Sequence, residues 1–378
     1  MKILYDYQAF YMQKFGGVSN SIVQIISNLP PEVKYEIAIK ECNNEHLQKS
    51  GLVKFAPARN SVDKFISSKS FKGKQRLYNT YTKLFSQRTS LGRNQLYAIQ
   101  KLVNGDFDIF HPTFFDGYFI PYLNGKPFVM TIHDMIPERL CIKDGQIAQK
   151  KYLVDKASHI ATISEQAKYD IMEILKVPES KISVIYHGAP QIKVPGDMPI
   201  PVNNYILYVG LRESYKYFMP MMKSLLPVLK RHPGIKIVCT GPDFTNAESS
   251  FFEQEGISDR MFHTRPSDKE MAALYSNALC FIYPSLYEGF GIPILEAYQA
   301  NCPVILNHKS CFPEIAKDAA LFFDSDDASS SLEILMESFL QMSSDEKENL
   351  LKKQRARLDF FSWEKAAKQY KDLYEALI

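Results

Sequence analysis

Residues 278–284, Ala-Leu-Cys-Phe-Ile-Tyr-Pro, run directly into residues 285–297, Ser-Leu-Tyr-Glu-Gly-Phe-Gly-Ile-Pro-Ile-Leu-Glu-Ala, and this junction decides the fold. The first stretch is apolar without alternation, which reads as a strand buried on both faces of a parallel sheet. Gly289 and Gly291 then allow a tight turn and a close backbone approach to a ligand. Pro293 suits the first turn of the helix that follows. Strand, glycine turn and helix form one βα unit, and the start of its helix offers free N–H groups to an anion. Glu288 and Glu296 stand eight residues apart, one in the loop and one about a turn into the helix, so both can face one side. Carboxylates so placed accept hydrogen bonds from vicinal hydroxyls, such as those of ribose and hexose rings. The bare pair also fits a helix with one acid favouring its dipole and another on its surface. The surrounding glycines and proline count toward a ligand site.

Working outward, the same unit recurs. In the first half, strand-like runs occupy 2–6, 107–111, 127–132, 158–163 and 182–187; in the second, 205–210, 235–241, 278–284, 303–306 and 320–324. Helical stretches include 215–231, 268–277, 293–300 and 329–357. Alternation of β and α predicts an α/β protein with parallel sheets covered on both faces, built twice over. Residues 189–204 contain Pro190, Pro195, Pro199 and Pro201, show neither period and read as a linker. The expected domains are therefore 1–188 and 205–361. Two open α/β sheets bind ligands at the carboxyl ends of their strands, so the expected site is a deep cleft across which the two domains face. Residues 362–378 read as a separate helix with Ser362 as N-cap and Ala366, Tyr370, Leu373 and Leu377 on one face.

Composition narrows the function classes. With 46% hydrophobic and 23% charged residues in 378, the chain is an ordinary globular protein with length for two domains. The amino terminus enters a strand at once and no stretch reads as a spanning helix, so a cytoplasmic location is expected, or a peripheral one on the inner face of the cell membrane. The six cysteines form no C-x-x-C pair and read as reduced thiols. The scattered histidines lead us to expect no metal, and the lack of G-x-G-x-x-G after the first strand argues against a nicotinamide cofactor.

Further candidates lie at other strand ends. Arg212 and Lys216, in Tyr208-Val-Gly-Leu-Arg-Glu-Ser-Tyr-Lys216, would make a cationic pocket for a diphosphate, or would be surface charge. Gly16 and Gly17 precede a helix over 18–29 and permit close approach to phosphate. Thr131-Ile-His-Asp134 puts His133 and Asp134 at a strand rim, where they suit polar or proton-transfer work or serve the structure; His111 is a weaker case. Between Arg59 and Lys101 there are ten basic residues, Lys69, Lys72, Lys74 and Arg76 among them, against the single acid Asp63. Such a run predicts an anionic partner such as phosphate, lipid headgroups or nucleic acid, or a solvated helical face. The segment lacks regular aromatic interleaving, so nucleic acid is not expected, although an anionic-polymer or nucleic-acid binder is the alternative reading.

Together these residues resemble the retaining glycosyltransferases of family 4, which have the GT-B fold. The resemblance spans nearly the whole chain. It rests first on the E-x7-E motif from Glu288 to Glu296, then on Y-V-G-L-R-E-S-Y-K, the early Y-D…F-G-G-V-S, T-I-H-D-M-I-P, A-T-I-S-E and P-S-D-K-E-M-A-A-L-Y-S-N-A. It implies that Glu288, His133, Arg212 and Lys216 serve catalysis. It also implies that Gly16, Gly17, Gly289, Phe290, Gly291 and Glu296 join Arg212 and Lys216 in holding the donor, with Glu296 on the ribose. It further implies retention at the anomeric carbon, a nucleoside diphosphate sugar as co-substrate with no other cofactor, a glycan or lipid-linked acceptor, and a last helix that crosses back to the first domain. The T-I-H-D and R-E-S-Y-K forms resemble bacterial mannosyltransferase-like members that build surface polysaccharide. Two departures stand out: Tyr217 where the family often has Asn, touching the loop geometry, and His187 where it often has Asn, touching the hinge. A non-catalytic partner subunit is the other alternative that the first departure leaves open.

Overall fold

A computed structural model describes the chain except residues 59–65, 67–70, 86–87, 143–144, 191, 193–201, 213 and 328–330. Most of the expected linker, with Pro195, Pro199 and Pro201, lies outside the described residues, as do Arg59, Lys64 and Lys69. Two compact units emerge. One comprises Met1–Ile163, Ala167–His187 and Trp363–Ile378; the other comprises Ser164–Gln166 and Gly188–Ser362.

The first unit contains β1 (Lys2–Tyr5), β2 (Lys34–Ile37), β3 (Glu41–Cys42), β4 (Ala56–Pro57), β5 (Ile109–His111), β6 (Val129–Ile132), β7 (His159–Thr162) and β8 (Ile182–Val184). Strands pair in the orders β2-β1-β5 and β6-β7-β8, all parallel, and a Phe110–Phe128 bridge links the two ladders; β3 and β4 pair separately. The core gathers Ile3, Leu4, Ile109, Phe110 and Val129 from these strands against Ile22, Ile25 and Ile26 of the helix Gly17–Ser27. The last helix, Trp363–Glu375, belongs to this unit. Its inner face differs from the expected one by including Tyr374, while Leu373 and Leu377 are only partly buried. Tyr374 Oη lies 2.6 Å from His111 Nδ1 and 3.1 Å from Tyr5 Oη; His111 Nε2 meets Thr131 Oγ1 at 3.0 Å, and that hydroxyl meets Tyr370 Oη at 3.0 Å. His111 is thus a satisfied core residue whose buried ring ties the helix to β1, β5 and β6.

The second unit is one six-stranded parallel sheet in the order β11-β10-β9-β12-β13-β14, built from β9 (Tyr205–Tyr208), β10 (Lys236–Thr240), β11 (Met261–Thr264), β12 (Cys280–Tyr283), β13 (Val304–Asn307) and β14 (Leu321–Phe323). The chain lays down β9, β10 and β11 in one direction, then returns to place β12 on the other side of β9. The strand order therefore reverses between β9 and β12, which in open α/β sheets is where ligands bind.

Two expectations need correction. The helix expected over 329–357 is two helices, Leu332–Gln341 and Ser344–Leu358. Ser343 starts the second with a reciprocal capping box to Glu346, which satisfies otherwise free N–H groups and fixes the break. The strands β2 and β11 were not expected. Both are sheet edges, only partly buried, and their Lys-Tyr-Glu-Ile and Met-Phe-His-Thr sequences carry no continuous apolar run.

Candidate active site

The β12 junction forms as its sequence requires. Gly291 takes φ +95°, a left-handed conformation, and a Cβ there would stand 2.9 Å from Ile294 Cδ1, so glycine is needed to turn the strand into the helix Ile292–Gln299. Glu288 is buried in the loop before it. Its backbone is pinned at both ends by one hydroxyl: Ser310 Oγ accepts from the Glu288 N–H at 3.2 Å and donates to its carbonyl at 2.9 Å. Ser164 Oγ donates to the Gly289 carbonyl at 2.8 Å. The Phe290 ring packs edge-on against Phe361 at 5.5 Å, so this side chain supports the loop from the core.

Across the switch point, the loop after β9 meets this one. Lys216 Nζ donates to Glu288 Oε1 at 2.6 Å, and the Leu286 N–H donates to the Tyr215 carbonyl at 2.8 Å. Lys216 and Glu288 are therefore brought together. Arg212 is not at their side as a second open cation. Its Nε donates to Glu248 Oε1 at 2.8 Å, and Nη2 donates to the carbonyls of Pro242 and Asp243, each at 2.7 Å. Both side chains are buried, at 5% and 7% exposure. Arg212 Nη1 is buried and, among the described residues, has no hydrogen-bond partner. Burial pushes the Glu248 carboxyl up, but the bonds from Arg212 and Thr245 outweigh it and hold the group below the usual range. Each of the two cations expected to hold a diphosphate thus already has a carboxylate partner, Glu248 for Arg212 and Glu288 for Lys216. Glu248 was not anticipated from the sequence; the Thr245–Glu248 capping box marks it only as a helix start.

Glu296 sits on the helix Ile292–Gln299 and accepts from Tyr275 Oη at 3.0 Å. Burial raises its carboxyl above the usual range, with Asp268 adding and Tyr275 opposing. On the neighbouring strand ends, Gly241 at φ +106° comes so close that a Cβ would lie 2.7 Å from the Gly210 carbonyl oxygen. Tyr217 takes φ 58° and ψ 24°, a left-handed position that Asn adopts readily. The departure thus keeps the loop geometry at a strain of roughly 1–2 kcal/mol.

In the first unit, Gly16 has extended backbone at φ 175°, and the Gln13 side chain fills the space beside it, with Oε1 accepting from the Ser19 N–H at 3.0 Å. Gly17 has open space where a Cβ would be. His133 lies 5.6 Å from His187, which lies 5.3 Å from Trp363, forming a column of three rings. His187 is buried there and does more than mark a hinge. Burial lowers the His133 imidazole to about 4, with Lys150 contributing. Asp134 is spent locally, accepting from the Ile136 N–H at 3.0 Å. Among the basic residues, Arg93 pairs with Glu41 at 2.7 Å and Lys101 with Glu36 at 2.5 Å. Lys74 is buried, whereas Lys72 and Arg76 are exposed. Acids from outside the 59–101 window thus neutralise part of its charge.

Asp-x-Asp, a spacing that metal-dependent sugar-nucleotide enzymes of another architecture use, occurs twice, at Asp106–Asp108 and Asp324–Asp326. Both stretches bond lysines: Asp106 and Asp108 meet Lys2, and Asp324 and Asp326 meet Lys309. Among the described residues no three His, Cys, Asp or Glu side chains group as a metal set.

Residues 199–357 match the model of "Glycosyl transferases group 1", and residues 53–190 match that of "Glycosyltransferase Family 4". Between them the two matches take in well over half of the chain. The chain thus carries a region that matches each of these two glycosyltransferase models. The O-antigen chain mannosyltransferase RfbU of Salmonella typhimurium is 31% identical to this chain over 219 residues, covering 56% of this chain and 60% of the relative. O-antigen chain mannosyltransferase B of Escherichia coli is 27% identical, covering 59% and 62%. The match thus spans about three fifths of these relatives' length. Among solved structures, Anabaena Alr3699/HepE in complex with UDP-glucose superposes with a TM-score of 0.73 at 14% identity over 100% of both chains. WaaG, a glycosyltransferase involved in lipopolysaccharide biosynthesis, gives 0.65 over 99% of each at 14% identity. These likenesses establish the GT-B fold.

Proposed function

We propose that the chain transfers a sugar, mannose first among candidates, from a nucleoside diphosphate sugar to a glycan or lipid-linked acceptor, retaining the anomeric configuration and needing no metal. The observation that carries this reading is the Lys216–Glu288 pair at the switch point of the second unit, beside the helix that bears Glu296. Mannose is favoured because the relatives above are named as O-antigen mannosyltransferases. In this reading the sugar hydroxyls bond Glu288 and the ribose hydroxyls bond Glu296. Lys216 leaves its carboxylate partner to follow the charge of the departing diphosphate. A cation at that point stabilises the charge that develops on the leaving group and so lowers the barrier without an added base. The orphaned Arg212 Nη1 is a further donor that a phosphate oxygen would satisfy.

Lys216→Ala is expected to cut turnover by about 10²-fold with the fold retained. The measurement is nucleoside diphosphate released from GDP-mannose, UDP-glucose, ADP-glucose and dTDP-glucose, each with and without EDTA. No release from any donor, or an absolute need for divalent metal, sinks the reading.

The same proposal places the acceptor at an anionic membrane surface. The helix Lys74–Leu84 exposes Leu77 and Leu84 on one side, near exposed Lys72, Phe71 and Arg76, and no helix among the described residues is long and apolar enough to cross a bilayer. An apolar strip flanked by cations is how a helix lies in a headgroup layer. Salt-sensitive sedimentation with phosphatidylglycerol vesicles, lost in a Lys72→Gln, Arg76→Gln, Leu77→Gln variant, is the expected result; a protein that stays in the supernatant at low salt rules the idea out.

A further inference from the structure

The loop that carries Glu288 is held by side chains from a neighbouring loop. The strand β13 is buried throughout and ends at Asn307, and residues 308–311 lead from it into the short helix Phe312–Ala316. Because β13 pairs with β12 in parallel, their carboxyl ends, and the loops that leave them, lie side by side. Asn307 is fully buried. Its Nδ2 donates to the Pro284 carbonyl at 3.2 Å and to Ser325 Oγ at 3.1 Å, and its Oδ1 accepts from the Ser325 N–H at 3.2 Å. Cys311, also buried, donates from Sγ to the Phe290 carbonyl at 3.3 Å. Lys309 anchors the same loop on its far side, meeting Asp324 at 2.9 Å and Asp326 at 2.8 Å after β14.

Between these anchors stands Ser310, whose hydroxyl reaches both the N–H and the carbonyl of Glu288. Its backbone takes φ 54°, a left-handed conformation that glycine adopts freely and a residue with a Cβ does not. Strain of this kind persists where the surroundings over-determine it, and it gathers at functional sites. Glycine here would relieve the strain and lose both bonds to Glu288.

Glu288 is thus restrained twice, through its main chain by Ser310 and through its carboxylate by Lys216 at 2.6 Å. The two restraints serve different stages. In the function proposed above, Lys216 follows the departing diphosphate and frees the carboxylate, and the main-chain anchor then keeps Glu288 against the sugar. Glu296 lies on the next helix with Tyr275 as its own partner, so the nucleotide end of the donor is fixed separately.

We infer that Ser310 is a positioning residue for Glu288: its hydroxyl fixes the main chain from which the carboxylate reaches the donor sugar. Asn307 and Cys311 hold the two ends of the same loop. The assignment rests on the function proposed above.

Ser310→Ala and Ser310→Gly test it, since both lack the hydroxyl and only glycine is relaxed at this backbone angle. Released nucleoside diphosphate gives kcat and KM, and calorimetric titration with the free nucleoside diphosphate gives its Kd. In both variants kcat should fall about tenfold, a fraction of the roughly 10²-fold that a full 1 Å misplacement costs, with that Kd unchanged. A role confined to stability predicts otherwise, because the relaxed glycine variant would then restore turnover. If the alanine variant melts early, the glycine variant carries the test. Wild-type kcat in Ser310→Gly, or a loss of turnover matched by an equal loss of nucleoside diphosphate affinity, overturns the assignment. Wild-type turnover that both variants retain removes the role of Ser310 alone. No turnover by the wild type with any donor named above removes the transfer reading, and this assignment with it.

Discussion

Arg212→Ala is expected to lower the unfolding free energy by about 3–5 kcal/mol, the usual result of removing one partner from a buried ion pair. The guanidinium is held by Glu248 and by the carbonyls of Pro242 and Asp243, and it lies over the rings of Phe218 and Phe244 at 5.5 and 4.9 Å. Without it, Glu248 is an uncompensated buried carboxylate, and the loops after β9 and β10 lose their tie. From the sequence alone, the same substitution is a pure test of diphosphate binding on an intact fold. The geometry replaces that expectation: inactivity of Arg212→Ala would say nothing about chemistry unless the protein is shown to be folded. An Arg212→Met, Glu248→Met double variant removes both charges, and a large part of the lost stability should return. Denaturant unfolding decides the matter, and a single variant with the wild-type midpoint would mean the pair is not structural.

Acid should unfold the first unit steeply between pH 6.5 and 4. His111, His133 and His187 lie in that unit, and burial lowers each imidazole, to about 3 for His111, to about 4 for His133 and well below 6.5 for His187. A group with a depressed folded value binds fewer protons folded than unfolded. Its contribution is therefore full above the unfolded value and is lost as pH falls toward the folded one. Each histidine contributes a slope of about 1.4 kcal/mol per pH unit within its window, so about 4 for the three near pH 5. Asp6 and Glu296, whose carboxyls burial raises, act with the opposite sign: the stability they contribute is full below the unfolded carboxyl value and is lost as pH rises through the folded one. The readout is built in, because Trp363 is the sole tryptophan and its ring lies 5.3 Å from that of His187. His111→Gln and His187→Asn should each flatten the fluorescence-detected slope by about a third; an unchanged slope in both sinks the account.

The parallel-sheet strands with continuous apolar runs, such as Cys280–Tyr283 and Tyr205–Tyr208, are legible because burial on both faces leaves nothing but apolar residues. Edge strands such as Lys34–Ile37 hide because half their surface meets solvent. The glycine turn at Gly291 is legible for a local reason, the left-handed backbone. The partners of the charged groups are not: Arg212 finds Glu248 from 36 residues away, and Lys216 finds Glu288 from 72. A charge count along the chain cannot see such pairings, which is also why the excess over 59–101 looked larger than the paired Arg93 and Lys101 allow.

The helix Trp363–Glu375 carries a consequence for how the molecule is made. The hydroxyls of Tyr5 and Thr131 and the buried imidazole of His111 have Tyr370 and Tyr374 among their partners, and these follow the second unit in the chain. During synthesis the first unit therefore emerges from the ribosome with part of its interior still wet, and it must wait through translation of nearly the whole second unit for its closing piece. Domains made in order usually fold in order. Here the second unit, contiguous but for three residues, can finish first, and the earlier-made unit finishes last.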